Sequence, residues 1–163
     1  MSFEDLLAAN RTYASHFPHQ GFDGIARKGV LMVTCMDSRL DPLDMIGLGH
    51  GDAKILRTPG GVIDPAALTG CILGVNLLHV DRIMLVPHTK CAMASGTDDD
   101  LRKVIEERHG LDTTWLDFGA SPDQLQRLRS DFDKVSKHPL IKGRAEVGGF
   151  MYDVDTGALE QLM

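Results

Sequence analysis

Basic residues are in the minority in this chain of 163 residues. Lys and Arg together number 17 against 23 Asp and Glu, which gives a formal net charge of −6 at pH 7. Nucleic acids and anionic membrane surfaces bind proteins through a concentrated basic patch, and the sequence contains no run of Lys and Arg of that density. We therefore expect no nucleic-acid partner and no membrane partner.

Long apolar runs are also missing. The strongest ones, such as residues 83–87, are far shorter than the roughly 20 residues needed to span a bilayer. The segment from Met1 to Asp5 carries acidic side chains where a secretory signal would carry basic ones. These patterns predict a cytoplasmic protein.

Cysteine is scarce, with only Cys35, Cys71 and Cys91 in the sequence. An odd number cannot all pair in disulfides, and in a reducing compartment unpaired cysteines are core residues, metal ligands or nucleophiles. Cys71 lies among apolar residues of a predicted helix, including Leu68 and Ile72, so we interpret it as a core residue.

The apolar pattern predicts one α/β domain spanning residues 1–163. Near-continuous apolar segments of strand length are typical of parallel strands that are covered on both faces. We predict strands at 29–35, 53–57, 82–87 and 149–154, and helices at 2–17, 41–48, 64–80, 99–109 and 121–137. The alternation of the two predicts a mainly parallel β-sheet flanked by helices.

Several helix starts carry recognisable signals. Ser2 followed by Asp5 resembles a capping box, and residues 64–65 place Asp at the N-cap and Pro at the first helical position. The acidic run 98–100 is interpreted as a solvated helix start.

Three possible zinc ligands lie at the ends of predicted strands. Cys35 ends the first strand, His88 follows the third, and Cys91 comes three residues later. Sites in open α/β sheets form at the carboxyl ends of strands, so the three can converge. Two thiolates and one imidazole suit zinc and leave one coordination position open, as catalytic zinc sites do.

Two further residues follow the first ligand closely. Asp37 and Arg39 lie in the loop after the strand, where an Arg fork can hold a carboxylate in an oriented pair within reach of the metal. Gly60-Gly61 is too short for a nucleotide-binding loop, and we interpret it as a close approach of backbone to the zinc pocket.

The pattern Cys35-x-Asp37-x-Arg39 followed by His88-x-x-Cys91 is similar to that of the β-class carbonic anhydrases, and the chain resembles their short bacterial branch. The likeness extends to residues 57–61 and 152–157. It implies one Zn²⁺ per chain on the Cys-His-Cys set, with the fourth position taken by solvent or, in a closed state, by Asp37. It also implies a substrate pocket walled by Pro59, Gly60, Gly61 and Val62.

The resemblance implies an activity and an assembly. The activity is reversible hydration of carbon dioxide to bicarbonate by a zinc-bound hydroxide, with Asp37 orienting it and Arg39 holding Asp37 ionised. The assembly is a homodimer or a tetramer, in which the amino-terminal helix 2–17 packs on the partner.

Departures from the family pattern concern the pocket wall. Residues 58–59 are Thr-Pro where Asn-Ala is common, and Pro87 and Ala92 replace common glycines. Carbonyl sulfide and carbon disulfide are therefore alternative substrates. A non-catalytic zinc protein of this fold is a further alternative, although a structural site needs no Asp37–Arg39 pair.

Overall fold

The computed structural model describes residues 2–163. Its strands are β1 (Val30–Cys35), β2 (Ala53–Thr58), β3 (Arg82–Val86), β4 (Glu146–Tyr152) and β5 (Leu159–Gln161). Its α-helices are α1 (Glu4–Ser15), α2 (Pro65–Leu77), α3 (Asp98–His109) and α4 (Gln124–Ser136). Short 3₁₀ turns lie at Asp44–Ile46, Pro59–Gly61 and Ala92–Ala94.

The strands form one sheet in the order β2-β1-β3-β4-β5. The first four are parallel, and β5 runs antiparallel to β4. The predicted α/β class with a mainly parallel sheet is confirmed. Because β2 pairs with one edge of β1 and β3 with the other, the winding direction reverses at β1, and a crevice for ligands is expected at the carboxyl ends of β1 and β3.

The core lies between the sheet and helices α2 and α4. Every residue of β1 is buried, as its near-continuous apolar pattern predicts. The core cluster includes residues from β1, β3, α2 and α4, among them Leu31, Val33, Ile83, Leu85, Cys71, Leu128 and Val135. Cys71 is fully buried, which confirms its interpretation as a core residue. Within residues 2–163, no helix is long and apolar enough to cross a membrane.

The predicted helix starts have mixed outcomes. The start of α2 is confirmed, since the Asp64 carboxylate accepts a hydrogen bond from the Ala67 amide at 2.7 Å. The predicted capping box at Ser2 and Asp5 is wrong, because the N-cap of α1 is Phe3 and makes no side-chain cap. Ser2 instead accepts a hydrogen bond from the Glu4 amide through Oγ, which is too early for a box.

Several extents differ from the prediction, and α1 and α2 end at Ser15 and Leu77 rather than at residues 17 and 80. The helix expected at 41–48 is a single 3₁₀ turn that closes at Gly47 with φ 65°, and α4 begins at Gln124 because Asp123 caps it. The strand expected at 149–154 occupies Glu146–Tyr152. Strand β5 was not predicted, because three residues are too few to show a period of two and β4 supplies their hydrogen bonds.

Candidate metal centre

The three predicted ligands converge at the crevice beside β1 and β3. Cys35 is the last residue of β1, His88 follows β3, and Cys91 precedes the 3₁₀ turn 92–94. Their ligand atoms all lie within 4.8 Å of one another, and all three residues are buried. The two sulfur atoms are 3.9 Å apart. A tetrahedral zinc ion with Zn–S bonds of about 2.3 Å separates two sulfurs by about 3.8 Å, so the spacing fits zinc.

The imidazole of His88 is oriented for metal binding. Its Nδ1 lies 2.8 Å from the carbonyl oxygen of Thr89. A carbonyl oxygen only accepts, so Nδ1 carries the proton and Nε2 carries the lone pair. Nε2 is buried and has no hydrogen-bond partner. An unsatisfied buried acceptor costs about 1–3 kcal/mol, and a metal ion between Nε2 and the two thiolates removes that cost.

The thiols of Cys35 and Cys91 form a hydrogen bond with each other. The hydrogen bond from Cys91 lowers the pKa of Cys35, and the amides of Asp37 and Gly60 also donate to its sulfur. The same hydrogen bond and burial raise the pKa of Cys91, whose sulfur accepts from the Met93 amide. A divalent cation favours the ionised form of both sulfurs, so metal binding releases protons.

The carboxylate of Asp37 is held by Arg39. The backbone amide and Nε of Arg39 each donate to Asp37 Oδ1 at 2.9 Å, and Nη2 donates to Oδ2 at 2.7 Å. These bonds hold the pKa of Asp37 well below its usual range. Asp37 Oδ2 is also 3.8 Å from His88 Nε2, so the carboxylate is a neighbour of the ligand cluster.

Arg39 also connects the two sequence motifs. Its Nη2 donates to the carbonyl oxygen of Lys90 at 3.1 Å, between the second and third ligands. Lys90 has a left-handed backbone with φ 54°, which is uncommon for a residue with a side chain. This single guanidinium therefore contacts the loop after Cys35 and the turn before Cys91.

Two contributors to the site were missed by sequence reasoning. Arg57 donates from Nε to the Cys35 carbonyl at 2.9 Å and from Nη2 to the Asp37 carbonyl at 2.5 Å. Gln124 donates from Nε2 to the His88 carbonyl at 3.0 Å. Arg57 begins the segment 57–61, which carries part of the family likeness and could have pointed to it, whereas no pattern in the sequence marks Gln124.

Two cavities meet at Cys91. An open groove of ≈ 500 Å³ is lined by residues that include Asp37, Arg39, Lys90, Cys91 and Gln124. A much smaller cavity of ≈ 20 Å³, with room for about one water-sized molecule, is lined by residues that include Gly60, Gly61, Val62 and Cys91. Of the four predicted pocket residues, Pro59 is exposed and lines neither cavity.

The glycine loop, which we define as residues 58–61, approaches the first ligand, Cys35, closely. Gly61 has φ 69°, and a Cβ atom added to it would lie 3.2 Å from the Cys35 nitrogen and from the Thr34 carbonyl carbon. Any side chain at this position would meet the backbone of β1. The interpretation of Gly60-Gly61 as a close backbone approach is confirmed.

Comparison with known proteins agrees with this geometry. A family model described as carbonic anhydrase matches residues 30–159. β-Carbonic anhydrase 1 of Mycobacterium tuberculosis is 32% identical over 163 residues, which cover 98% of this chain and 96% of the relative. A carbon disulfide hydrolase of Acidithiobacillus thiooxidans is 28% identical over 97% of this chain and 85% of its own length.

A solved structure is similar throughout. The carbonic anhydrase of Streptococcus mutans superposes with a TM-score of 0.89 at 28% identity, covering 100% of this chain and 99% of that one. The matched segment contains all three converging ligands, and their donor set fits zinc. The chain therefore belongs to the carbonic anhydrase family, in its β-class, and is a zinc-dependent lyase.

Proposed function

We propose that this protein catalyses the reversible hydration of carbon dioxide to bicarbonate, with zinc held by Cys35, His88 and Cys91. One observation carries the proposal: the ionised Asp37 carboxylate, fixed by Arg39, has Oδ2 only 3.8 Å from His88 Nε2. A metal site with a purely structural role has no use for an oriented carboxylate beside its fourth position.

Zinc, when bound, supplies a Lewis acid that lowers the pKa of a water molecule. Two thiolates cancel the formal charge of the ion, so this ligand set acidifies water less than three neutral histidines would. The site therefore needs a protein acceptor beside the attacking oxygen, and Asp37 is the acceptor that the structure offers.

Asp37 and Arg39 have separate tasks in the reaction. Asp37 accepts a hydrogen bond from the attacking oxygen and so directs a lone pair of that oxygen at the carbon of carbon dioxide. A new C–O bond forms, one C=O π pair moves to its oxygen to give bicarbonate, and a proton leaves through the open groove to solvent. Arg39 keeps Asp37 ionised and aimed.

Arg39 also governs the fourth position. As long as Arg39 holds both carboxylate oxygens of Asp37, the fourth position is left to solvent. In the proposed closed state Asp37 turns to the metal, which requires that the bonds from Arg39 to the carboxylate break. The bond from Arg39 to the Lys90 carbonyl keeps the guanidinium in place and favours the open arrangement.

The decisive experiment is stopped-flow hydration of carbon dioxide by zinc-quantified protein, from neutral to alkaline pH. We expect hydration that is lost on chelation and restored by zinc. Protein with one zinc per chain that hydrates no carbon dioxide at any of these pH values would overturn the proposal. Activity confined to alkaline pH would instead support the closed state at neutral pH.

Hydrolysis of carbon disulfide is a second candidate, favoured by the likeness to a carbon disulfide hydrolase over 97% of the chain. Carbon disulfide and carbonyl sulfide are small linear electrophiles open to the same attack. Release of sulfide from either, measured on the same preparation without carbon dioxide hydration, would favour this candidate. Full zinc with neither activity would favour a non-catalytic zinc protein.

We also propose that the protein is a homodimer in which helix α1 packs across the partner. None of the residues in α1 is buried. Its apolar side chains are largely exposed, including Leu6, Leu7 and Tyr13 at 62%, 53% and 55%. An apolar helix face of this kind marks an interaction site.

Sedimentation velocity tests the dimer. Leu6→Glu combined with Leu7→Glu is expected to yield monomer, whereas Val104→Glu on the exposed face of α3 is the matched control. An unchanged sedimentation coefficient in the double variant would contradict the proposed interface, and a heavier species in the wild type would indicate a tetramer.

The three free cysteines fit the cytoplasmic location that we propose.

A further inference from the structure

Arg57 makes contacts that the proposed reaction does not use. It lies on β2 next to β1, with its backbone paired to Thr34. Its guanidinium donates from Nε to the carbonyl of Cys35 at 2.9 Å and from Nη2 to the carbonyl of Asp37 at 2.5 Å. Both acceptors lie in the ligand loop, which we define as residues 35–37.

The ligand loop curls around the sulfur of Cys35. The Asp37 amide donates to that sulfur, and the Met36 amide donates to the Thr58 carbonyl at 3.2 Å. The Asp37 carbonyl accepts from the Leu40 amide at 3.2 Å, and Arg57 adds a donor to this carbonyl and another to the Cys35 carbonyl from one rigid group. A lysine in its place could reach one carbonyl but could not bridge both, because it lacks the planar fork.

We propose that Arg57 is a positioning residue for the zinc site, which fixes the ligand loop so that the Cys35 thiolate and the Asp37 carboxylate are pre-organised for the metal. It acts through the loop, since Arg57 is not among the residues that line the groove beside Asp37 and Arg39. Residues that orient metal ligands in this way typically contribute about 10–100-fold to metal affinity.

The chain contains a matched control. Arg82 begins β3, the other neighbour of β1, and donates from Nη2 to the Lys28 carbonyl at 2.5 Å. Its contact is of the same chemical kind, but it lies at the amino end of the strands, at the opposite edge of the sheet from the ligands. Loss of Arg82 therefore removes an arginine–carbonyl bond without touching the ligand loop.

The test compares Arg57→Met, Arg57→Lys and Arg82→Met as zinc-loaded protein well below the unfolding temperature. The first readout is the rate of zinc loss to a chelator. We expect about tenfold or greater acceleration in Arg57→Met, a smaller effect in Arg57→Lys, and the wild-type rate in Arg82→Met. The second readout is the visible absorption of the cobalt-substituted proteins, which should change only in the Arg57 variants.

The proposal is overturned if folded Arg57 variants lose zinc at the rate of Arg82→Met and keep the wild-type cobalt spectrum. Should Arg57→Met fail to fold, Arg57→Lys alone decides by the same two readouts. The inference rests on zinc binding at the proposed ligands and not on the substrate. If the protein does not hydrate carbon dioxide, the inference about Arg57 still holds. If the Arg57 variants release zinc at the control rate, the inference is wrong even when hydration is normal.

Discussion

The guanidinium of Arg39 holds the carboxylate of Asp37 by both oxygens, with Nε on Oδ1 at 2.9 Å and Nη2 on Oδ2 at 2.7 Å. The Asp37 side chain is 20% exposed and that of Arg39 is 45% exposed, and both residues line the open groove. A pair this accessible contributes little to stability by itself. Its geometry beside the ligands is what gives it a role.

Replacing Asp37 by Asn tests that role. Asn retains one oxygen for Arg39 but loses the charge and one acceptor, and its amide group opposes the donors of Arg39. We expect carbon dioxide hydration to fall by about 100-fold or more, the usual contribution of a positioned acid–base group, while zinc content stays at one per chain. Stopped-flow kinetics and metal analysis measure the two quantities.

Asp44→Asn is the control, because Asp44 is exposed in the 3₁₀ turn 44–46, outside the site. It should leave both hydration and zinc content unchanged. Unchanged hydration in zinc-loaded Asp37→Asn would show that Asp37 has no catalytic task.

The three cysteines should differ in reactivity toward a thiol reagent. Zinc shields the Cys35 and Cys91 thiolates, and Cys71 is 0% exposed, with a pKa that burial raises to about 12. We therefore expect no reactive thiol in zinc-loaded protein and two after chelation. Cys35 should react first, because the hydrogen bond from Cys91 lowers its pKa, and Cys91 more slowly, because that hydrogen bond and burial raise its pKa. Alkylation followed by peptide mass spectrometry should locate those two at Cys35 and Cys91.

Cys71 should react only on unfolding, and Cys71→Ala should leave the count after chelation at two. Labelling of Cys71 in the folded, chelated protein would contradict its place in the core. Fast labelling of Cys35 with zinc bound would contradict its assignment as a ligand.

The close approach of the glycine loop to β1 predicts a graded loss of stability. Gly61 and Gly143 both have positive φ, of 69° and 75°, but only Gly61 has backbone atoms within 4 Å of an added Cβ. Both alanine variants suffer backbone strain of about 1–2 kcal/mol. Gly61→Ala should lose about 1–3 kcal/mol more, because β1 cannot yield without shifting Cys35.

Urea unfolding at a fixed free zinc concentration measures both free energies. Zinc release to a chelator should also accelerate in Gly61→Ala and stay normal in Gly143→Ala. Equal destabilisation of the two variants would show that the loop has room to move away from β1.

The acidic run 98–100 starts α3 as predicted, with Asp99 and Asp100 exposed to solvent, but Asp98 is largely covered. Asp100 forms a capping box with Thr97, and the Asp98 side chain is only 17% exposed. The Asp98 carboxylate accepts from the amides of Phe118, Gly119 and Ala120. It therefore ties the loop before α4, which carries part of the wall of the small cavity, to α3.

Asp98→Asn should destabilise this loop, and the effect should depend on pH. A hydrogen bond with the Asp117 side chain and bonds from the loop amides lower the pKa of Asp98 to about 2. Because the folded-state pKa is depressed, the contribution is complete above the unfolded value near 4 and is lost as pH falls toward 2. The stability gap between wild type and Asp98→Asn should therefore be widest near neutral pH.

Thermal unfolding from neutral to acidic pH measures the difference in stability between wild type and Asp98→Asn. Asp99→Asn is the control, since the Asp99 side chain is 90% exposed. A gap that does not narrow in acid would show that ionised Asp98 does not hold the loop.

The ligand set could be predicted from local patterns alone. The apolar run of β1 ends at Cys35, and the His88-x-x-Cys91 spacing follows the run of β3, so each ligand stands where a buried strand gives way to a loop. Burial along one element follows from its own residues, because side-chain periodicity is a local property. Local patterns also predicted the N-cap at Asp64 and the core position of Cys71, and the structure confirms both.

What only the tertiary structure decided is which parts of the chain become neighbours. That β1 lies between β2 and β3, that Arg39 reaches the carbonyl of Lys90, and that Arg57 bridges the carbonyls of Cys35 and Asp37 all depend on pairings between distant segments. Every residue has a backbone carbonyl. A side chain that binds one therefore has no partner residue type that could be recognised in the sequence. The metal ligands of this protein can therefore be predicted from its sequence. The contacts that orient those ligands depend on the order of the strands in the sheet.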